Sequence, residues 1–148
     1  MLGTMTQDRM KTILASQVLG RLGCVDGGKP YIIPVTYMFD GKYIYGQTNE
    51  GKKLSVLRKN PHVCFEVDLM LNMRNWESVI VYGTFEELKG VYASEARDLL
   101  FDRVYPLMAS TTIHPHEHEV TTVVDVSSGA KYVMYRIKIE KMTGRFER

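Results

Sequence analysis

Hydrophobic and polar residues alternate along six segments of the chain, and this two-residue period predicts six β-strands. Valine, isoleucine, tyrosine and phenylalanine are frequent in these segments, in keeping with the preference of strands for β-branched and aromatic side chains. The predicted strands span residues 18–25, 30–39, 42–47, 62–69, 76–88 and 132–142.

Two glycine-containing turns join the first three strands directly. Asp26-Gly27-Gly28-Lys29 and Asp40-Gly41 carry residues that accept the positive φ angles of tight hairpins. A parallel sheet needs a long crossover between successive strands, and no helical pattern separates these three. The sequence therefore predicts a mainly β fold, a six-stranded antiparallel barrel with peripheral helices, formed as a single domain over residues 1–148.

A period near 3.6 residues predicts three helices. The first, Gln7–Ser16, has three hydrophobic residues on one face, and the second, Lys52–Lys59, ends shortly before Pro61. The third covers residues 94–104, with Ser94 as its expected N-cap. Because only three helices accompany six predicted strands, the helices are expected to pack outside the barrel.

Composition narrows the possible function classes. The 148 residues carry 19 basic and 17 acidic side chains, and a formal charge of +2 gives little general attraction to nucleic acid. No apolar run approaches the ~20 residues that cross a bilayer. The first ten residues lack the apolar segment of a signal peptide. With Cys24 and Cys64 interpreted as reduced, buried thiols, we expect a cytoplasmic protein without a membrane partner.

The most informative segment for chemistry runs from Tyr45 to Lys53, where a strand ends, a polar turn follows and a helix begins. The first N–H groups of a helix lack intrahelical partners and carry the positive end of the helix dipole, so helix N-termini bind phosphate. Lys52 and Lys53 add positive charge, and Thr48 adds a hydroxyl group. The alternative is a pair of solvated surface lysines, which is common on helices.

Several blocks of residues in a specific order resemble the FMN-binding split-barrel family that includes pyridoxamine 5′-phosphate oxidase. The similarity is greatest to its smaller branch of nitroimidazole-resistance-type reductases and flavin-nucleotide-binding proteins. The blocks are Gly20-Arg21-Leu22-Gly23, Gly28 to Tyr37, Asp40-Gly41, Ile44-Tyr45, Gly51-Lys52-Lys53, Asn60-Pro61-His62-Val63, Trp76-Glu77-Ser78-Val79 and Gly83.

The resemblance implies a homodimer with FMN at its interface. It implies that Lys52 and Lys53 hold the phosphate, and that Gln47 and Thr48 contact the phosphate and the ribityl chain. It also implies that one strand's backbone lines the flavin ring and that Ser78 replaces a glutamine that contacts the flavin. The ring-lining strand residues are Pro34, Val35, Thr36 and Tyr37. Gly51 and Trp76, the latter also interpreted as a core or interface anchor, complete the expected cofactor-binding set.

The same resemblance limits the expected activity. The Arg-Pro-Arg and Trp-Arg-Leu stretches that hold the oxidase's substrate are missing from the sequence, so oxidation of pyridoxamine phosphate is not expected. Gln47 replaces a histidine common in the smaller branch, which argues against histidine-dependent chemistry. The expected function is an FMN-dependent oxidoreductase that uses NAD(P)H as donor and a small aromatic or nitro-type acceptor. The alternatives are a non-catalytic flavin-nucleotide or haem binder and, disfavoured by charge, a single-strand nucleic-acid module.

Three histidines lie in a polar segment that the strand and helix patterns do not assign. His114, His116 and His118 alternate along Thr-Ile-His-Pro-His-Glu-His-Glu. Alternate imidazoles on an extended segment face one side and could hold a metal or haem. A solvated, proline-containing loop is the interpretation we favour, since catalytic zinc usually takes ligands from separated elements, so no metal ion is expected.

Overall fold

The computed structural model describes residues 1–108 and 132–148. Three helices lie among eight strands in the described part of the chain. The helices are α1 (Gln7–Ser16), α2 (Lys52–Lys59) and α3 (Gly90–Met108). The strands are β1 (Leu2–Thr4), β2 (Leu19–Asp26), β3 (Lys29–Thr36), β4 (Met38–Phe39), β5 (Tyr43–Asn49), β6 (His62–Asn72), β7 (Asn75–Glu87) and β8 (Tyr132–Glu147).

All described strand pairs are antiparallel and belong to one sheet. Its order is β3-β2-β6-β7-β8-β5-β4, with β1 added beside β8. The sheet curls so that β3, at one end of this order, lies against β5 near the other end. The predicted mainly β antiparallel barrel is confirmed, and the strand number of eight differs from the predicted six because β1 was missed and one predicted strand is two.

Tyr37 divides the predicted strand 30–39 into β3 and β4. Its backbone N–H donates to the Val18 carbonyl at 2.8 Å, and its hydroxyl donates to the Leu14 carbonyl at 2.6 Å. Its ring packs edge-on against Phe65, with centroids 4.8 Å apart, and is fully buried. Tyr37 therefore ties the end of β3 to the end of α1 and to the residue that precedes β2.

The inward-facing residues of the strands form one hydrophobic core. Alternate residues of β6 and β7 are buried, as the two-residue period predicts. The core includes Leu22, Val35, Ile44, Leu54, Leu57, Val63, Phe65, Val67, Val79, Val81, Tyr135 and Ile137. Cys24 belongs to this core, whereas Cys64 points to the outer face of β6 and is exposed. The prediction of a buried Cys64 is therefore wrong, because the strand period places it opposite Val63 and Phe65.

Helix bounds from sequence are correct for α1 and α2 and wrong for α3. Residue Ser94 lies inside α3 and is not its N-cap, since the helix begins at Gly90. On its buried side Ala96, Leu100 and Val104 contact Met134 of β8. Among the helices described, none combines the length and hydrophobicity that crossing a membrane requires.

Strand β8 is longer than predicted and continues to Glu147. The residues after 142 continue the strand, because they pair with the start of β7 and with β1. A Cβ at Gly144 would lie 2.8 Å from the Met10 side chain, so glycine lets α1 approach the strand. The extension also supplies the residues of β8 with which β1 pairs.

Candidate functional site

At the junction between β5 and α2, residues 47–53, a helix N-terminus without a capping side chain follows the end of a strand. Gly51 is the N-cap of α2, no side chain caps the helix there, and its first turn contains no acidic residue. The Ser55 N–H donates to the Gly51 carbonyl at 3.0 Å, which begins the intrahelical ladder. The N–H groups before Ser55 lie outside that ladder, as at every helix start. This end of α2 is suited to a negatively charged group.

Lys52 connects this junction to the hairpin formed by β2 and β3. Its Nζ lies 3.9 Å from the Asp26 carboxylate and 5.1 Å from the centre of the Tyr31 ring. The Lys52 side chain is 70% exposed, so its ammonium group remains in contact with water. Lys53 is half-buried beside it. The sequence pattern does not indicate Asp26 as a site residue, because the hairpin turn accounts for an aspartate at this position.

Strand β3 presents a backbone edge near this junction. Among the described strands, β3 pairs with β2 along one edge. The backbone N–H and C=O groups of its other edge point away from the described sheet, as they do in any edge strand. Pro34 is exposed on the outer face, Val35 is buried in the core and Thr36 is half-buried. The Tyr37 side chain and N–H are both used in the core contacts described above. Val35 and Tyr37 are thus the two expected ring-lining residues whose side chains are turned away from solvent.

Gln47 and Thr48 lie at the end of β5, opposite Met134 and Val133 of β8. Thr48 is 6% exposed, and its Oγ1 donates to the Asn49 carbonyl at 3.4 Å. The Gln47 Oε1 atom is buried. Gln47 and Thr48 precede the first residue of α2 by five and four residues, at the end of β5 that leads into the helix.

Trp76 and Ser78 lie on β7, separated from β3 by β2 and β6. With strands about 4.8 Å apart, Ser78 is about 14 Å from β3 across the sheet. The Ser78 hydroxyl donates to Glu66 at 2.9 Å. The expected site residues therefore fall into two groups: those of β3, β5 and α2, which lie together, and those of β7, which lie apart.

A charged cluster occupies the outer face between these two groups. Arg21 lies 3.5 Å from carboxylate oxygens of both Glu66 and Asp68. Burial raises the pKa of Glu66, and the nearby Asp68 charge adds to this effect. The sequence places these residues on outward positions of their strands. Only the strand order, which the sequence does not give, brings them together.

The histidines considered as metal or haem ligands, His114, His116 and His118, lie outside the described residues. The described part of the chain contains no group of three potential metal-ligating side chains.

Comparison with known proteins identifies the family. The model of the pyridoxamine 5′-phosphate oxidase family matches residues 6–146. The chain belongs to this family. The resemblance seen in the sequence is thereby confirmed, and so is the split-barrel fold that goes with it.

Two solved structures share the fold over nearly the whole chain, and one further protein is similar in sequence. A FAD-binding protein of Mesorhizobium loti is 27% identical, with a TM-score of 0.80 over 100% of this chain and 98% of its own. A candidate 5-nitroimidazole antibiotic resistance protein of Bacteroides thetaiotaomicron has 18% identity and a TM-score of 0.70, covering 99% and 89% of the two chains. An uncharacterised protein of Rhizobium meliloti is 25% identical over 145 residues, which cover 95% of this chain and 92% of that protein.

Proposed function

We propose that this protein is a flavin-dependent oxidoreductase that binds FMN between two copies of the chain. It accepts electrons from NAD(P)H and passes them to a small aromatic or nitro-type acceptor. Family membership supports flavin binding, as does the FAD-binding relative that matches the whole chain at 27% identity. We also propose a cytoplasmic location, which is supported by two free thiols in the described chain.

The observation that carries the proposal is the β5–α2 junction. A flavin phosphate there would meet the uncapped helix N-terminus, the Lys52 ammonium group and the half-buried Lys53. Oriented N–H groups and positive charge together are the usual means of holding a phosphate. Thr48, which belongs to the junction, would lie beside the phosphate on the side of the ribityl chain.

Strand β3 is placed to support the ring of the same flavin. Tyr31 contacts Lys52, and Pro34 follows three residues later, about 10 Å along the strand. An extended ribityl chain covers such a span. The free backbone edge of β3 would then offer hydrogen bonds to the polar rim of the ring, while Pro34 and Thr36 flank it.

A second copy of the chain would complete the site. Within one protomer, two further strands, β2 and β6, lie between β3 and the β7 residues Trp76 and Ser78. The outer face also exposes hydrophobic side chains, which favours burial against another surface. They are Leu19, Val25, Ile32, Met70 and Tyr82. A twofold arrangement would place Trp76 and Ser78 of one protomer against the ring held by its partner.

A bound flavin would supply the hydride and electron transfer chemistry. The protein would hold the phosphate at α2, orient the ring against β3 and exclude water through the outer faces of the two protomers. Direct hydride transfer to a flavin needs no protein nucleophile.

Titration of the purified protein with FMN and with riboflavin tests the proposal. We expect Lys52→Ala to weaken FMN binding about 10- to 150-fold, because a charge-assisted hydrogen bond contributes roughly 1.5–3 kcal/mol. Riboflavin, which lacks the phosphate, should bind both proteins equally. Lys59→Ala, an exposed lysine at the other end of α2, is the matched control and should bind FMN as the wild type does.

Absence of FMN binding, or equal FMN affinity in Lys52→Ala and wild type, contradicts this site. Anaerobic NAD(P)H should bleach the bound flavin, and a nitroaromatic acceptor should restore its colour. A protein that binds FMN but is not reduced by NAD(P)H would instead be a flavin-nucleotide store or sensor.

A further inference from the structure

We propose that Asp26 is a specificity-determining residue of this site. It acts through Lys52 to weaken the binding of the flavin phosphate, and so lowers the affinity for FMN relative to riboflavin. The inference rests on the proposed function, because it concerns the same phosphate position. Its effect is confined to flavins that carry a phosphate, and riboflavin serves as the internal reference.

Asp26 is held in place by a short hairpin. It is the last residue of β2, and Gly27 and Gly28 follow with φ angles of 56° and 84°, as a two-residue turn requires. The turn pairs Asp26 with Lys29 and brings Tyr31 next to Lys52. The Asp26 carboxylate thus faces the Lys52 ammonium group from the paired end of strand β2.

The ion pair is weak enough to be broken by a ligand. The two groups are 3.9 Å apart, and their side chains are 70% and 46% exposed. Exposed pairs of this kind contribute little to stability, because water screens the attraction. Lys52 can therefore bind a phosphate, but doing so breaks or weakens its ion pair with Asp26.

Of the acidic residues Asp26 and Glu50 near the β5–α2 junction, Asp26 forms the ion pair with Lys52. Glu50, which directly precedes the α2 N-cap, accepts hydrogen bonds from both terminal nitrogens of Arg58 at 3.2 Å. That pairing engages the Glu50 carboxylate with Arg58, a residue of the last turn of α2. The charge that opposes phosphate binding beside Lys52 is accordingly assigned to Asp26.

The test compares Asp26→Asn with wild type by titration with FMN and with riboflavin at low ionic strength. We expect the variant to bind FMN about two- to fivefold more tightly, the range that corresponds to loss of an exposed ion pair. Riboflavin affinity should not change. The gain should disappear near 1 M salt, where the Debye length falls to about 3 Å.

A double-mutant cycle shows whether Asp26 acts through Lys52. In a Lys52→Ala background, Asp26→Asn should leave FMN affinity unchanged within twofold. Asp98→Asn is the matched control, since Asp98 is an exposed aspartate of α3, a helix that packs against β4, β5 and β8. It should leave both flavin affinities unchanged.

Three outcomes separate this inference from the proposed function. If wild type binds FMN in a Lys52-dependent manner but Asp26→Asn does not tighten it, or tightens FMN and riboflavin alike, the role of Asp26 is refuted and the flavin site stands. An equal gain in the Lys52→Ala background likewise refutes action through Lys52. A wild-type protein that binds neither flavin refutes the proposed function and this inference with it.

Discussion

A site shared between two protomers can be tested by mixing variants that are each defective in one half. Lys52→Ala alters the half formed by β3, β5 and α2, and Trp76→Ala alters the half formed by β7. The two halves are about 14 Å apart within a protomer, across β2 and β6. If each flavin is held by Lys52 of one protomer and Trp76 of its partner, a mixed dimer contains one intact site and one doubly altered site.

The expected occupancy follows from this arrangement. Lys52→Ala should weaken FMN binding about 10- to 150-fold, and loss of an aromatic stacking partner costs roughly 1–3 kcal/mol, or about 5- to 150-fold. At an FMN concentration a few times the wild-type Kd, each variant alone is mostly empty. Random exchange of protomers makes about half of the dimers mixed, and half of their sites are intact, so about one quarter of the wild-type occupancy should return.

The assay separates bound from free FMN by gel filtration after the two variants have been co-incubated long enough to exchange protomers. Mixing Lys59→Ala with Trp76→Ala, in which every Lys52 is intact, gives the reference for a neutral lysine substitution on α2. Occupancy of the test mixture that equals the mean of the two separate variants would show that one protomer holds the whole site. The assignment of Trp76 to the partner would then be wrong.

Two further predictions concern the fold. Glu77 accepts hydrogen bonds from Arg9 Nε at 2.7 Å and from Arg9 Nη2, with Arg148 at 3.7 Å, and these partners lower the pKa of Glu77. Because Arg9 is partly exposed, we expect Glu77→Gln to lose only about 1–2 kcal/mol of unfolding free energy at pH 7 in urea titrations. The difference should persist above pH ~4.3 and vanish as the pH falls through the lowered folded-state pKa; a pH-independent difference would contradict it. Gly83→Ala should cost about 1–3 kcal/mol in the same titrations, because a Cβ there would lie 2.3 Å from the Lys138 carbonyl oxygen, and wild-type stability would contradict this packing.

Local sequence signals were sufficient for most elements of the fold. Helices Gln7–Ser16 and Lys52–Lys59 were predicted with the bounds they have, since each combines a regular hydrophobic period with clear end signals. The Asp26 to Lys29 hairpin was predicted from its two glycines, which do have positive φ. Such features depend on a few consecutive residues, so no knowledge of the rest of the chain is needed.

The errors arose where distant residues decide the local structure. Strand β1 has three residues, too few for a periodic signal, and exists because β8 offers it a partner. The division of the predicted strand 30–39 occurs at Tyr37, whose two hydrogen bonds go to Val18 and Leu14. The extension of β8 past Gly144 depends on pairing with β7. In each case the partner residues are distant in the sequence, and the local pattern does not indicate them.

The candidate site shows the same division between local and long-range information. The sequence of the β5–α2 junction indicates a phosphate site by itself, since helix start and lysines are adjacent in the chain. The strength of that site also depends on Asp26, which precedes Lys52 by a whole hairpin and a further strand, and which faces it only because the barrel packs β2 against α2. Likewise, Trp76 and Ser78 belong to the same set of family-like sequence blocks as Lys52. In the structure they lie on β7, which β2 and β6 separate from β3. A motif can therefore name the ligand class, whereas the affinity and the number of chains required follow from the arrangement of strands around it.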